Sequence, residues 1–416
     1  MKTTRRFPAA AGVAACLTAG LTACLTVNPN LPHGVRTTDA GRGTAASLPP
    51  FEASDEATAE QLERARGEGN AVRQELDWVR AHQAAASAEM AVGEYRVAFA
   101  VTPALSYSEP DAGGRLVRHD PAPGEAHLGV VVRDAADGRL VPGLTVRASL
   151  VDAGGRTVDA RALPFGYYPV MHRYGDNLRW PTDAGPLTVR VEIAPPTYWR
   201  HDPSNGDRYR DSTMAEFTNV TVTPAALARV TQAGAGGVAD TAGLGLALNE
   251  GAALGRSLNE MANNVAVGGG TTRDHDYVAY VAFERSEGYW EPHGHTSDGI
   301  GLRYTIEADE SAAANAHLEI GMRDTLTGRF LPGMRPRATV LDARGRTVGT
   351  YEPPFMWHPW IHHFGMNFRV PNSGRYSVRV HADMPRYRRY GRLAEAMFAG
   401  PLDVEIPNLK IVTGQK

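Results

Sequence analysis

Short runs with the apolar content and alternation of β-strands fill two stretches of the chain. In the first, Leu128-Gly-Val-Val-Val132, Thr145-Val-Arg-Ala-Ser-Leu150 and Leu187-Thr-Val-Arg-Val-Glu-Ile193 are rich in β-branched residues. Turn pairs such as Asp137-Gly138, Pro142-Gly143 and Gly154-Gly155 break them up. In the second, Ala338-Thr-Val-Leu341 and Tyr376-Ser-Val-Arg-Val-His381 stand in matching places. Several short strands at this spacing predict an antiparallel β-sandwich over about 95–222 and another over about 277–412.

Elsewhere the pattern is helical. Over 54–92, Leu62, Ala65, Val72, Leu76, Val79 and Ala86 alternate with charged residues, which predicts a helix opened by Ser54 or Asp55 and weakened by Gly67 and Gly69. Between the sandwiches, Leu244, Leu248, Leu254, Leu258, Met261 and Val265 predict one or two further helices, with Gly268-Gly269-Gly270 as the exit. The expected fold is mainly β: two tandem immunoglobulin-like sandwiches, an N-terminal helix and a helical connector. Its expected divisions are a signal at 1–24, a tether at 25–53, a helical segment at 54–92, a first sandwich at 93–224, an Ala/Gly-rich connector at 225–270 and a second sandwich at 271–416.

The two β stretches are related. Ala126-His127-Leu128 recurs as Ala316-His317-Leu318, an offset of 317 − 127 = 190 that holds without a gap to Gly175-x-Asn177 and Gly365-x-Asn367. Three differences matter. Gly129 is replaced by Glu319, Gly166 by Met356 and Arg173 by His363, and each replacement adds a metal-donor atom. Only the second copy is therefore expected to bind metal tightly, and to do so by itself.

Composition narrows the chemistry. A net charge of −3 gives no reason to expect nucleic acid as a partner. Lys2, Arg5 and Arg6 followed by a small-residue apolar run to Ala23 read as an export signal. It ends in Leu21-Thr22-Ala23-Cys24, which resembles the bacterial lipoprotein cleavage box and implies lipid attachment at Cys24. The two cysteines, Cys16 and Cys24, both lie in this signal, so the mature chain has neither disulfide nor thiolate ligand. Without a usable cysteine or a Gly-x-Ser-x-Gly stretch, nucleophilic catalysis is not expected. A redox enzyme is a third reading with no substrate pocket in the pattern to support it, so the chain is expected not to be an enzyme.

His317 and Glu319, two apart on a strand, project from the same face. Met356 and His363 lie in the segment 355–365, which has two tryptophans and three histidines. Together, His317-x-Glu319, Met356-x6-His363 and the following Phe364-Gly365-x-Asn367 resemble the periplasmic iron-transport-associated, copper-binding protein family, also called the Fe²⁺-transport protein family. The resemblance implies an immunoglobulin-like sandwich with His317, Glu319, Met356 and His363 as metal ligands. The family has a further histidine after the last motif strand, where this chain has Arg389-Tyr390. His201, His358, His362, His293 and His295 are all candidates for the missing ligand.

Thioether and imidazole favour copper, Cu(II) or Cu(I), and carboxylate suits Fe(II). The leading expectation is an extracytoplasmic, lipid-anchored protein that binds copper or ferrous iron and assists iron uptake beside a membrane iron permease. The alternative is a lipid-anchored tandem interaction or structural protein with a vestigial metal site. Ordinary imidazoles would release metal as pH falls below about 6.5.

Overall fold

The computed structural model describes residues 50–181, 185–234, 241–265, 268–296, 299–306 and 314–413. All of them fall within one compact unit. The expected signal, most of the tether and Cys24 lie outside the described residues.

Each half builds a large and a small sheet. In the second half the large sheet runs, edge to edge, through Gly268–Asp274, Tyr277–Glu284, Ala316–Asp324, His363–Phe368, Phe355–Trp357, Trp199–His201, Gly288–Thr296 and Gly299–Ile306. Its small sheet is Thr347–Tyr351, Pro336–Asp342, Gly374–Ala382 and Leu402–Ile411. Alternation decides what faces inward. Leu318, Ile320 and Met322 pack with Val340, Val378 and Val380 in the core between the sheets, which sends His317 and Glu319 to the outer face of the large sheet. The first half repeats this order and fills its core with Leu128, Val130, Val132, Leu150, Val189 and Val191. The fold is mainly β, as expected.

The halves exchange short strands. Trp199–His201, from the first half, lies parallel to Phe355–Trp357 and antiparallel to Gly288–Thr296 in the second. Reciprocally, Arg388–Arg389 lies between Phe165–Tyr167 and Tyr107–Pro110 of the first half. By register, His201 and Tyr390 are counterparts: each follows the residue pair that docks on the other half.

Helix α1 spans Ala59–His82, and its N-cap is Thr58, not Ser54 or Asp55, in a capping box with Gln61. Ser54 instead hydrogen-bonds to Asp202 and accepts from the backbone of Glu56 and Ala57. The expected helical segment also ends early. Ala86–Val92 is a strand, turned back on Tyr95–Pro103 through Gly93 at φ 54°. Gly69, read as a weak point, is needed for packing: a Cβ there would lie 2.0 Å from the Asp137 carbonyl oxygen. Helices α2 (Pro224–Gly234) and α3 (Thr241–Glu260) occupy the connector. Gly251 of α3 meets the Thr327 carbonyl as Gly69 meets that of Asp137, so α3 sits on the second half as α1 sits on the first. The glycine run expected as an exit is the start of strand Gly268–Asp274.

Candidate metal centre

Strand pairing places the sequence-predicted donors on one face. His317 stands opposite Asn367, Glu319 opposite Gly365, and Met356 opposite His363. His201 enters the same face from the exchanged strand, two residues beyond Trp199, which pairs with Met356. Ring nitrogens of His201, His317 and His363 all lie within 4.8 Å of one another. All three histidines and Met356 are inaccessible to solvent, and Glu319 is nearly so.

Hydrogen bonds fix which nitrogen of each ring is bare. The Asn367 side-chain oxygen accepts from the Glu287 backbone N–H, and its NH₂ donates to the Glu287 carbonyl. The oxygen therefore also accepts from His317 Nδ1–H, at 2.8 Å. His363 Nδ1 faces the Ile361 carbonyl at 3.1 Å, which can only accept, so Nδ1 carries the proton. In both rings Nε2 is left as a buried lone pair without a partner. Neither ring nitrogen of His201 makes a hydrogen bond, and its Nδ1 lies 3.2 Å from Glu287 Oε2. Pinning one imidazole nitrogen so that the other is free is how proteins orient metal ligands.

The same reasoning removes two candidates. His358 Nδ1 accepts from the backbone N–H of Trp360 at 3.0 Å and Ile361 at 3.2 Å, so its proton sits on Nε2. His362 Nδ1 accepts from the His358 N–H at 3.3 Å, with the same consequence. Neither neutral ring has a lone pair left for an ion. His293 is exposed, and the side chain of His295 lies outside the described residues.

Space and charge suit a cation. A Cβ on Gly365 would lie 2.7 Å from His317 Nε2 and 2.9 Å from His363 Nε2, so the glycine leaves open the cradle between the two lone pairs. Burial holds the imidazoles neutral: His317 titrates at about 4 and His363 at about 3, the latter further depressed by His317. Burial and its neighbours His317, His363 and His358 lower His201 as well. Glu319 is pushed up by burial and then by Glu284 and Glu56, so its carboxylate lacks a compensating positive charge. Its oxygens lie 3.5 Å from His363 Nδ1 and 3.5 Å from the Tyr280 hydroxyl. Three imidazoles, a thioether and a carboxylate form a donor set that fits copper.

The equivalent place in the first half is filled by its own side chains. Tyr168 donates to His127 Nε2 at 2.8 Å, and Tyr390 stacks on Tyr168 with ring centroids 4.2 Å apart. The Arg173 guanidinium lies 4.0 Å from the centre of the Tyr168 ring, and a Cβ on Gly129 would lie 2.7 Å from the Arg173 side chain. A fixed cation thus stands where the second half offers Glu319 and His363.

Arg139 of the first half shapes the second-half loop. Buried and paired with Asp137, it donates to the carbonyls of His358, Pro359 and Trp360 at 2.7–3.0 Å. Arg329 does the same in reverse, donating to Tyr168, Pro169 and Val170.

Sequence reasoning named His201 only as one of several candidates, and it did not name Glu56, Glu284 or Glu287. For the latter two, the signal available was comparison with the first half, which has Thr102 and Leu105 in the equivalent places.

No protein-family model matches the chain. No curated protein matches it either. Among solved structures, FetP of uropathogenic E. coli strain F11 is similar over 36% of this chain and 96% of its own, at 18% identity and a TM-score of 0.26. A copper-bound variant of FetP is similar over 36% of this chain and 92% of its own, at 18% identity and a TM-score of 0.25.

Proposed function

We propose that this chain is an extracytoplasmic metal-binding protein whose centre takes copper, with Fe(II) as a second cargo, and that it assists iron uptake beside a membrane iron permease. The observation that carries the reading is the convergence of His201, His317 and His363, with Met356 and Glu319 on the same face. Two of the three imidazoles have Nδ1 pinned and Nε2 bare, and the third has no hydrogen bond at all. Imidazole and thioether would hold copper in either oxidation state, and Glu319 supplies the harder oxygen that Fe(II) prefers. The function is binding, not catalysis.

Anchoring through Cys24 belongs to the same proposal, on the Leu-Thr-Ala-Cys box alone. Among the described residues, no helix is long and apolar enough to cross a membrane. Cys24→Ser is expected to release the protein or leave it unprocessed, and unchanged fractionation would count against the anchor. The second reading, a lipid-anchored interaction protein with a vestigial site, draws on the first half, where tyrosines and Arg173 fill the pocket.

Metal analysis and Cu(II) titration of the purified full chain separate the two. One tightly held copper per chain, lost in His317→Ala and His363→Ala, supports the metal-binding reading. If both variants bind like the parent, the interaction reading stands.

A further inference from the structure

The centre accounts for Glu319 but not for three other carboxylates beside it. Glu284 pairs with His317 across the sheet, and so belongs to the same face. Glu287 follows three residues later, fixed by its backbone to Asn367, with Oε2 3.2 Å from His201 Nδ1. Glu56 comes from the segment that leads into α1. That segment is tied down by Ser54 to Asp202, by the Glu52 backbone to Asn205, and by Phe51 against Trp357. It brings the Glu56 carboxylate within 4.8 Å of ring nitrogens of His201 and His358. His358 has its proton on Nε2, so toward Glu56 it presents an N–H and no lone pair, and it is not a fellow ligand.

Three carboxylates gathered under cover without a matching cation are costly unless protons or an ion neutralise them. Burial and then Glu284 and Glu56 push Glu287 up; burial and then Glu284 push up Glu56 as well, which Arg285 offsets only in part. Glu284 Oε1 is buried without a partner. His201, fully buried and with no hydrogen bond on either ring nitrogen, turns Nδ1 into this group. The first half is an internal control. Where its pocket is closed by tyrosines, the positions of Glu284 and Glu287 hold Thr102 and Leu105. The carboxylates occur where the bare imidazoles occur.

We propose that Glu56, Glu284 and Glu287 form a second cation position beside the imidazole centre, lined by oxygen and selective for a hard divalent ion such as Mn(II) or Fe(II). His201 separates the two positions, facing the carboxylates with Nδ1 and leaving Nε2 for the centre. Oxygen donors suit Mn(II) and Fe(II) and hold Cu(I), the soft ion that Met356 favours, poorly; Cu(II) at one equivalent goes first to the imidazoles, so the two positions would hold different metals at once. This rests on the metal-binding reading only in that His201 is shared.

The test loads the full chain with one equivalent of Cu(II), titrates Mn(II), and reads free Mn(II) by electron paramagnetic resonance. One further Mn(II) per chain is expected. Glu56→Gln and Glu284→Gln should each weaken Mn(II) at least tenfold while changing Cu(II) affinity less than threefold. Glu284→Thr, which installs the first-half residue, guards against misfolding and should behave like Glu284→Gln. The proposal is overturned if Mn(II) binds only in competition with copper, or if these variants bind it as the parent does. If copper fails to bind but a Glu56-dependent Mn(II) remains, this position stands and the copper reading above falls.

Discussion

His201 and His317 come from opposite halves of the chain, and their rings meet edge to face with centroids 5.0 Å apart at 83°. The centre is therefore a junction between halves, and the expectation that the second copy binds metal tightly by itself does not fit this geometry. Residues 271–416 alone lack one of the three converging imidazoles. His201→Ala in the full chain should lower Cu(II) affinity by at least the roughly 10–100-fold that losing an outer hydrogen-bond partner costs a metal site. Unaltered Cu(II) affinity in this variant would remove His201 from the centre.

Met356 should separate the two oxidation states of copper. It is fully buried opposite His363, and among the described residues its thioether is the soft donor placed with the imidazoles on that face. Met356→Leu preserves volume closely enough to cost less than about 1.5 kcal/mol in stability. Cu(I) affinity is expected to drop by tenfold or more and Cu(II) affinity to change little, as read by competition with a chelator for each state. An equal loss for both would mean that Met356 only packs.

Alternation and repetition made much of this legible in the sequence. Alternation placed His317 and Glu319 on one face, and the repeat exposed Met356 and His363 as gains over Gly166 and Arg173. His201 could not be assigned because its strand, Trp199–His201, is short and pairs with residues of the other half, a choice made by docking and not by local pattern. The sequence leaves His358 open as a ligand and favours a structural role for His362, which His172 of the first half matches; backbone N–H groups occupy the Nδ1 atoms of both. The helix start moved from Ser54 to Thr58 because Thr58 has Gln61 three residues on, and Ser54 is engaged by Asp202.

Arg139 links stability to the site. Its guanidinium is buried, pairs with Asp137 and holds three carbonyls of the loop between Met356 and His363. Arg139→Ala leaves a buried carboxylate and three carbonyls unmatched, a change that costs about 3–5 kcal/mol. Arg139→Lys should rescue little of this, since one ammonium cannot reproduce the planar fork. Denaturant unfolding of the apo chain checks both. A loss below about 1 kcal/mol, the worth of one exposed ion pair, would show that the loop is held by other means.

Acid should strip copper later than ordinary imidazoles allow. Burial lowers His317 to about 4 and His363 to about 3, so both rings in the folded chain stay neutral well below the expected limit of about 6.5. Cu(II) affinity, corrected for the chelator's own protonation, should hold to about pH 5 and fall steeply towards pH 4, given these two depressed values. Apo stability follows a different course. The unfolded chain binds protons on these histidines at about 6.5 and the folded chain does not, so stability is lost as pH falls from about 6.5 towards 4. Glu56 works in the opposite sense: raised to about 7 by burial and then by Glu284, it contributes stability below its unfolded value that is lost as pH rises through 7. The two effects therefore oppose each other over the same range, so the loss of apo stability below about pH 6.5 is partly offset by Glu56. His317→Gln and His363→Gln should flatten this acid loss, and Glu56→Gln should steepen it. Copper at a hundredfold excess over its dissociation constant should add about 2.7 kcal/mol wherever the imidazoles are neutral. Copper lost at pH 6.5 would mean that these rings titrate as if exposed, and that the buried centre does not form.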